Sequence, residues 1–170
     1  MNFDEFGNLL PGEHNLTLEQ FKNNFVEDVY FEKSTTRTVI HNNFSELINE
    51  LINLDLLDGL TKIWIDGSFS TQKLNPNDID LILFYDFASE KKEKVEYHLD
   101  LCKFKMKNTK KCHFNCLTDY TNDENFNDDD IRIRTNELTS RRLVRYFEYD
   151  KKDRKKGYIS IQIHTDQGGV

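Results

Sequence analysis

The eight residues "IDLILFYD", Ile79 to Asp86, constrain this chain more than any other stretch. After Asp80 the run is apolar at nearly every position. A half-exposed strand would alternate polar and apolar residues, because successive side chains point to opposite faces. An unbroken apolar run between polar segments reads instead as a strand covered on both faces. The chain must therefore supply material on either side of it.

Three further segments have strand character. "KIWID", Lys62 to Asp66, is short and rich in large and β-branched residues. "KCHFNCLT", Lys111 to Thr118, places Cys112, Phe114 and Cys116 on one face and His113 and Asn115 on the other. "GYISIQI", Gly157 to Ile163, alternates cleanly, with Tyr158, Ser160 and Gln162 opposite Ile159, Ile161 and Ile163.

Helical spacing occupies much of the rest. Thr17 and Gln20 form a capping-box pattern ahead of a helix over Leu18 to Tyr30. A longer helix is expected over Thr35 to Leu57, with a wide apolar face of Phe44, Leu47, Ile48, Leu51, Ile52 and Leu54. Gly59 stands where that helix would be capped. Residues 89–104 return to helical spacing through Val95, Leu99 and Cys102, and residues 138–149 read as a helix. Residues 120–130 form an acidic loop, and "KKDRKK" a solvated turn. The fold class expected is α/β (α+β): one domain with a mixed sheet flanked by helices. Its span is 17–163, after an extended lead-in over 1–16 and before a flexible tail over 164–170.

A chain of 170 residues is long enough to bury a real core. Its net charge of -7 disfavours broad, non-specific binding to a nucleic-acid backbone but leaves room for a local basic groove. No apolar run approaches the length of a membrane span, and the N-terminus lacks the basic and apolar regions of a secretory signal. Three cysteines make no disulfide framework, which fits a reduced, cytoplasmic protein. His98, Cys102, Cys112, His113 and Cys116 are too loosely spaced for a zinc knuckle.

The chemistry concentrates between the first two strands. Gly67 allows a sharp turn after "KIWID", and the backbone N–H groups of a turn at Gly67-Ser68 suit a phosphate. Asp66 either caps that turn or lines the pocket. Asp78 and Asp80 lie two apart at the start of "IDLILFYD" and so share a face. Paired carboxylates there suit one or two Mg²⁺ ions.

Strand, Gly-Ser, a polar spacer, then Asp-x-Asp opening an apolar strand: this order resembles the signature of the nucleotidyltransferase fold superfamily. That superfamily includes polymerase β-like enzymes, tRNA and antibiotic nucleotidyltransferases, cyclic dinucleotide synthases and minimal members that act as antitoxins. Lys62 to Asp86 carries the likeness, with Gly67, Ser68, Asp78 and Asp80 matching residue by residue. The resemblance, to a small bacterial or phage branch, implies that Gly67 and Ser68 grip the phosphates of an NTP. It implies that Asp78 and Asp80 ligate Mg²⁺ or Mn²⁺. Arg134, Arg141 or Arg142 would reach the triphosphate or a polynucleotide.

Active members add a third acid from a neighbouring strand. Here Asn115 holds the most natural position, and Asn is no base. Either Asp119, at the strand end, completes the catalytic set, or transfer chemistry has lapsed. Two functions follow. One is a Mg-dependent enzyme moving an NMP group from an NTP to a hydroxyl of a protein, RNA or small molecule. The other is a lapsed relative acting as antitoxin, nucleotide sensor or scaffold for a toxin or defence partner. A module that only binds nucleic acid fits the charge least.

Overall fold

The structure, a computed structural model, describes residues 1–57, 59–86, 97–98, 100–101, 111–119 and 145–163, and of Thr118 and Asp119 only the backbone. The capping box forms as read. Thr17 Oγ1 accepts from the Gln20 N–H, and Gln20 Oε1 accepts from the Thr17 N–H. It opens helix α1, Leu18–Phe25, which ends earlier than expected. A separate 3-10 turn over Val29–Phe31 follows, because the Asp28 side chain accepts from the Tyr30 N–H and restarts the chain there.

Helix α2 spans Arg37–Asn53. Ile40, Phe44, Leu47 and Leu51 are its buried stripe, with Ile48 packed at the margin. The stripe is narrower than the wide face expected. Ile52 is 51 % exposed and Leu54 39 %, since only one side of α2 meets the core. The chain leaves the helix at Asp55, in a left-handed conformation (φ 55°), rather than at Gly59.

Five strands form one mixed sheet: β1 Gly12–Asn15, β2 Leu60–Asp66, β3 Ile79–Asp86, β4 Cys112–Asp119 and β5 Gly157–Gln162. Their order is β1-β5-β2-β3-β4. β1 runs parallel to β5 and β3 parallel to β4, while β2 is antiparallel to both its neighbours. The lead-in is thus part of the sheet. Leu9 is buried with the main core, and Gly12 to Asn15 pair with Gly157 to Ser160.

Both faces of β3 are covered, as its composition demands. Ile79, Leu81, Leu83 and Tyr85 join the main core with α1, α2, Ile63, Ile65, Ile159 and Ile161. Ile82 and Phe84 join Trp64, Phe147 and Tyr158 on the other face. The helix read through Val95, Leu99 and Cys102 falls partly, and the acidic segment 120–130, Arg132, Arg134, Arg141, Arg142 and the tail 164–170 fall wholly, outside the described residues.

The main core also contains a charge. Arg37 is fully buried on the α2 stripe. Its guanidinium donates to the carbonyls of Phe25 (2.9 Å), Phe69 (2.8 Å), Thr71 (2.6 Å) and Lys73 (2.7 Å). It also stacks over the Phe31 ring at 3.7 Å. Burial pulls its pKa down to about 10. One side chain therefore holds the end of α1 and the loop after β2 against α2. Replacing it strands four carbonyls, so Arg37→Met is expected to cost about 3 kcal/mol or more in urea unfolding. Arg37→Lys keeps the charge but loses the planar fork, and recovers only part of that loss.

Candidate functional site

The site lies at one end of the sheet, on the face opposite the helices. β2 ends at Asp66, which stands directly opposite Asp80 on β3. Asp80 stands opposite His113 on β4. Side chains in register on neighbouring strands share a face, so these three form a row. Asp78 precedes β3 and joins the row through His113, whose Nδ1 lies 3.5 Å from Asp78 Oδ2 and 3.6 Å from Asp80 Oδ1.

The Gly-Ser turn closes over the same place. Residues Gly67–Ser70 make one 3-10 turn immediately after β2. Gly67 has φ +77°, and a Cβ there would fall 2.1 Å from Asp80 Oδ2. Only glycine satisfies both the backbone and the contact. The turn and the Asp pair, separate in sequence, are thus packed directly on each other.

Asp66 holds the N-cap position of the turn, but its side chain makes no capping hydrogen bond. It is only 4 % exposed, and Lys156, 7 % exposed, hydrogen-bonds its Oδ2 from the residue before β5. Ser70 Oγ donates to its Oδ1 at 3.2 Å. Burial outweighs these partners and raises the Asp66 pKa to about 6. Asp80 is raised too, first by burial and then by the charge of Asp78, against the opposing pull of His113 and Lys156. Three carboxylates therefore share one face, with one buried ammonium and one imidazole beside them.

The remaining expected residues divide. Ser68 is half-buried on the turn, and its carbonyl accepts from Thr71 Oγ1. Asn115 is exposed and pairs with Ile82, two residues beyond the row. The expectation that Asp119 completes the set is corrected by the register. Its backbone pairs with Asp86, six residues from the Asp80–His113 pair, about 20 Å along the strand. The β4 residue at the Asp pair is His113. Parallel pairing of β3 with β4 in this register would have identified it; its alternation with Cys112 and Phe114 already gave its face. Lys156 was hidden inside a run read as a solvated turn. Arg134 lies outside the described residues.

Hard carboxylate oxygens at Asp78 and Asp80 suit Mg²⁺ or Mn²⁺. Both side chains are partly open, 33 % and 42 % exposed. The charge of Asp78 adds to the burial that raises the Asp80 pKa, and a cation would relieve that repulsion. Among the described residues no group of three His, Cys, Asp or Glu is disposed to hold a metal ion. Magnesium commonly uses one or two carboxylates and takes its other ligands from phosphate and water, which is the fit available here.

The buried pair has a measurable signature. Lys156→Met leaves Asp66 without its cation and is expected to cost about 3 kcal/mol or more, with much of the loss recovered in Lys156→Met/Asp66→Asn. Because the folded-state pKa of Asp66 is raised, its stabilising contribution is full below pH 4 and is lost as pH rises through about 6. Wild type minus Asp66→Asn should therefore fall across that window in denaturant titrations at fixed pH values.

Comparison with curated proteins and with solved structures gives no match. A family model described as a family of unknown function, DUF6932, matches residues 1–162, and the chain belongs to that family.

Proposed function

We propose that this protein is a divalent-metal-dependent nucleotidyltransferase, moving an NMP group from an NTP to a hydroxyl of a protein, RNA or small molecule. The sheet would then be a nucleotidyltransferase-like one. The observation that carries the reading is the packing of Gly67 against the Asp80 carboxylate. It joins the phosphate-type turn to the carboxylate pair in one site, as the motif resemblance requires.

In this reading Asp78 and Asp80 hold the cation, and the Gly67-Ser68 turn faces the phosphates. The cation, when bound, neutralises phosphate oxygens and orients the reactants. The acceptor oxygen forms a bond to the α-phosphorus, the bond to pyrophosphate breaks, and pyrophosphate leaves with its electron pair. The hydroxyl proton needs an acceptor, and the His113 imidazole, beside both carboxylates, is the described group placed to take it. Asp66 and Lys156 position the turn and offset charge without needing to touch substrate.

His113 also favours a second reading. A carboxylate that would share the metal is replaced by an imidazole, which suits a lapsed enzyme retained as a nucleotide sensor, antitoxin or partner-binding scaffold.

Incubation with α-labelled NTPs, Mg²⁺ or Mn²⁺ and cell extract separates the two. The enzyme reading predicts label transfer that Asp78→Asn/Asp80→Asn abolishes and that Gly67→Ala reduces at least about a hundredfold, since its Cβ displaces a metal-binding carboxylate. Nucleotide binding without transfer from any of the four NTPs would favour the second reading. Transfer that persists in the double Asn variant would reject the site.

A further inference from the structure

Residues 145–156 carry six basic and three acidic residues in a chain of net charge -7. The segment is a compact hairpin. Residues 145–148 are helical, Tyr149 bridges Lys155, and Asp150 Oδ1 accepts from the Lys152 and Arg154 N–H groups. Its inner end is Lys156, hydrogen-bonded to Asp66 opposite Asp80, so the hairpin stands against the carboxylate row.

Some of its charge is internally matched. Arg154 pairs with Asp150, Arg145 with Asp153, and Lys156 with Asp66. Lys151, Lys152 and Lys155 are exposed and form no ion pair among the described residues. Exposed aromatic rings belong to the same element or pack on its Arg154. The Arg154 guanidinium sits 3.6 Å over the Phe6 ring, and Phe6 is 57 % exposed. Tyr146, one residue from Arg145, is 74 % exposed.

We propose that this hairpin, with Phe6, is a docking surface for a single-stranded polynucleotide. Free lysines meet backbone phosphates, while exposed aromatic rings and an arginine plane receive unstacked bases. An acidic peptide would match the lysines but has no use for the aromatic surface, which is why a polynucleotide fits better. The net charge of -7 opposes such a ligand over the chain as a whole, whereas in this element basic residues outnumber acidic ones six to three. The proposal rests on the transferase reading only in its consequence: a strand held here would present a terminal hydroxyl toward Asp78 and Asp80.

The test is fluorescence anisotropy with labelled single-stranded RNA and DNA of about twelve nucleotides, within the span of one such surface. The full chain is used, with no NTP and no metal, across a salt series. Binding of either polymer is expected, and their ratio assigns the sugar. Lys151→Glu/Lys152→Glu/Lys155→Glu should weaken it at least tenfold and flatten the slope of log K against log salt by about two, from about 0.7 per phosphate contact. Phe6→Ala/Tyr146→Ala should weaken binding with the slope unchanged. Three results would overturn the proposal: no binding at low salt, a triple variant equal to wild type, or an acidic peptide of equal charge binding as tightly. Because the assay omits nucleotide and metal, its failure leaves the Asp78–Asp80 reading standing. Polynucleotide binding here with no label transfer in the NTP assay would reject the transferase reading and leave this proposal standing.

Discussion

Charge balance on one face of the sheet is the constraint around which this end of the molecule is built. Asp66, Asp78 and Asp80 gather within a few residues of one another across β2 and β3. Carboxylates so placed repel and are costly to bury. Lys156 offsets one of them from the start of β5, and His113 lies beside the other two from β4. The four elements that supply these groups are held by the sheet's register, so the pairing of strands is also the assembly of the site. Lys156 thereby ties the basic hairpin to the carboxylate row.

The opposite face makes that arrangement rigid. α1 and α2 bury Phe21, Phe25, Phe44 and Leu47 against the isoleucines and leucines of the central strands. Arg37 reaches through this layer to the carbonyls of Phe69, Thr71 and Lys73. The loop from the Gly-Ser turn toward Asp78 is therefore fastened to a helix on the far side of the sheet. A fully buried guanidinium is well suited to this work, since one planar fork satisfies several backbone oxygens at once.

Much of the fold was legible because its signals are local. The apolar run of β3, the alternation of β5 and the Thr17–Gln20 box each follow from a few adjacent residues. What was less legible depends on long-range register. Asn115 looked like the residue opposite the Asp pair, and only the pairing of Asp80 with His113 moves that position two residues back. Lys156 looked like one of six solvated residues until β5 was placed beside β2. Arg37 had a visible signal: it falls on the same helical stripe as Ile40, Phe44 and Leu47, where a charge is out of place. The lead-in carried no strong strand pattern, because four mostly exposed residues at a sheet edge need none.

The central claim is that the Gly67 turn and the Asp78–Asp80 pair form one cation–nucleotide site bordered by His113. Paramagnetic broadening by substoichiometric Mn²⁺, read from backbone amide resonances of the full chain with and without a non-hydrolysable NTP analogue, tests it most directly. The account predicts broadening centred on residues 66–68, 78–80 and 113, sharpened by the analogue and lost in Asp78→Asn/Asp80→Asn. Broadening centred elsewhere, or a pattern unchanged in that variant, would contradict it.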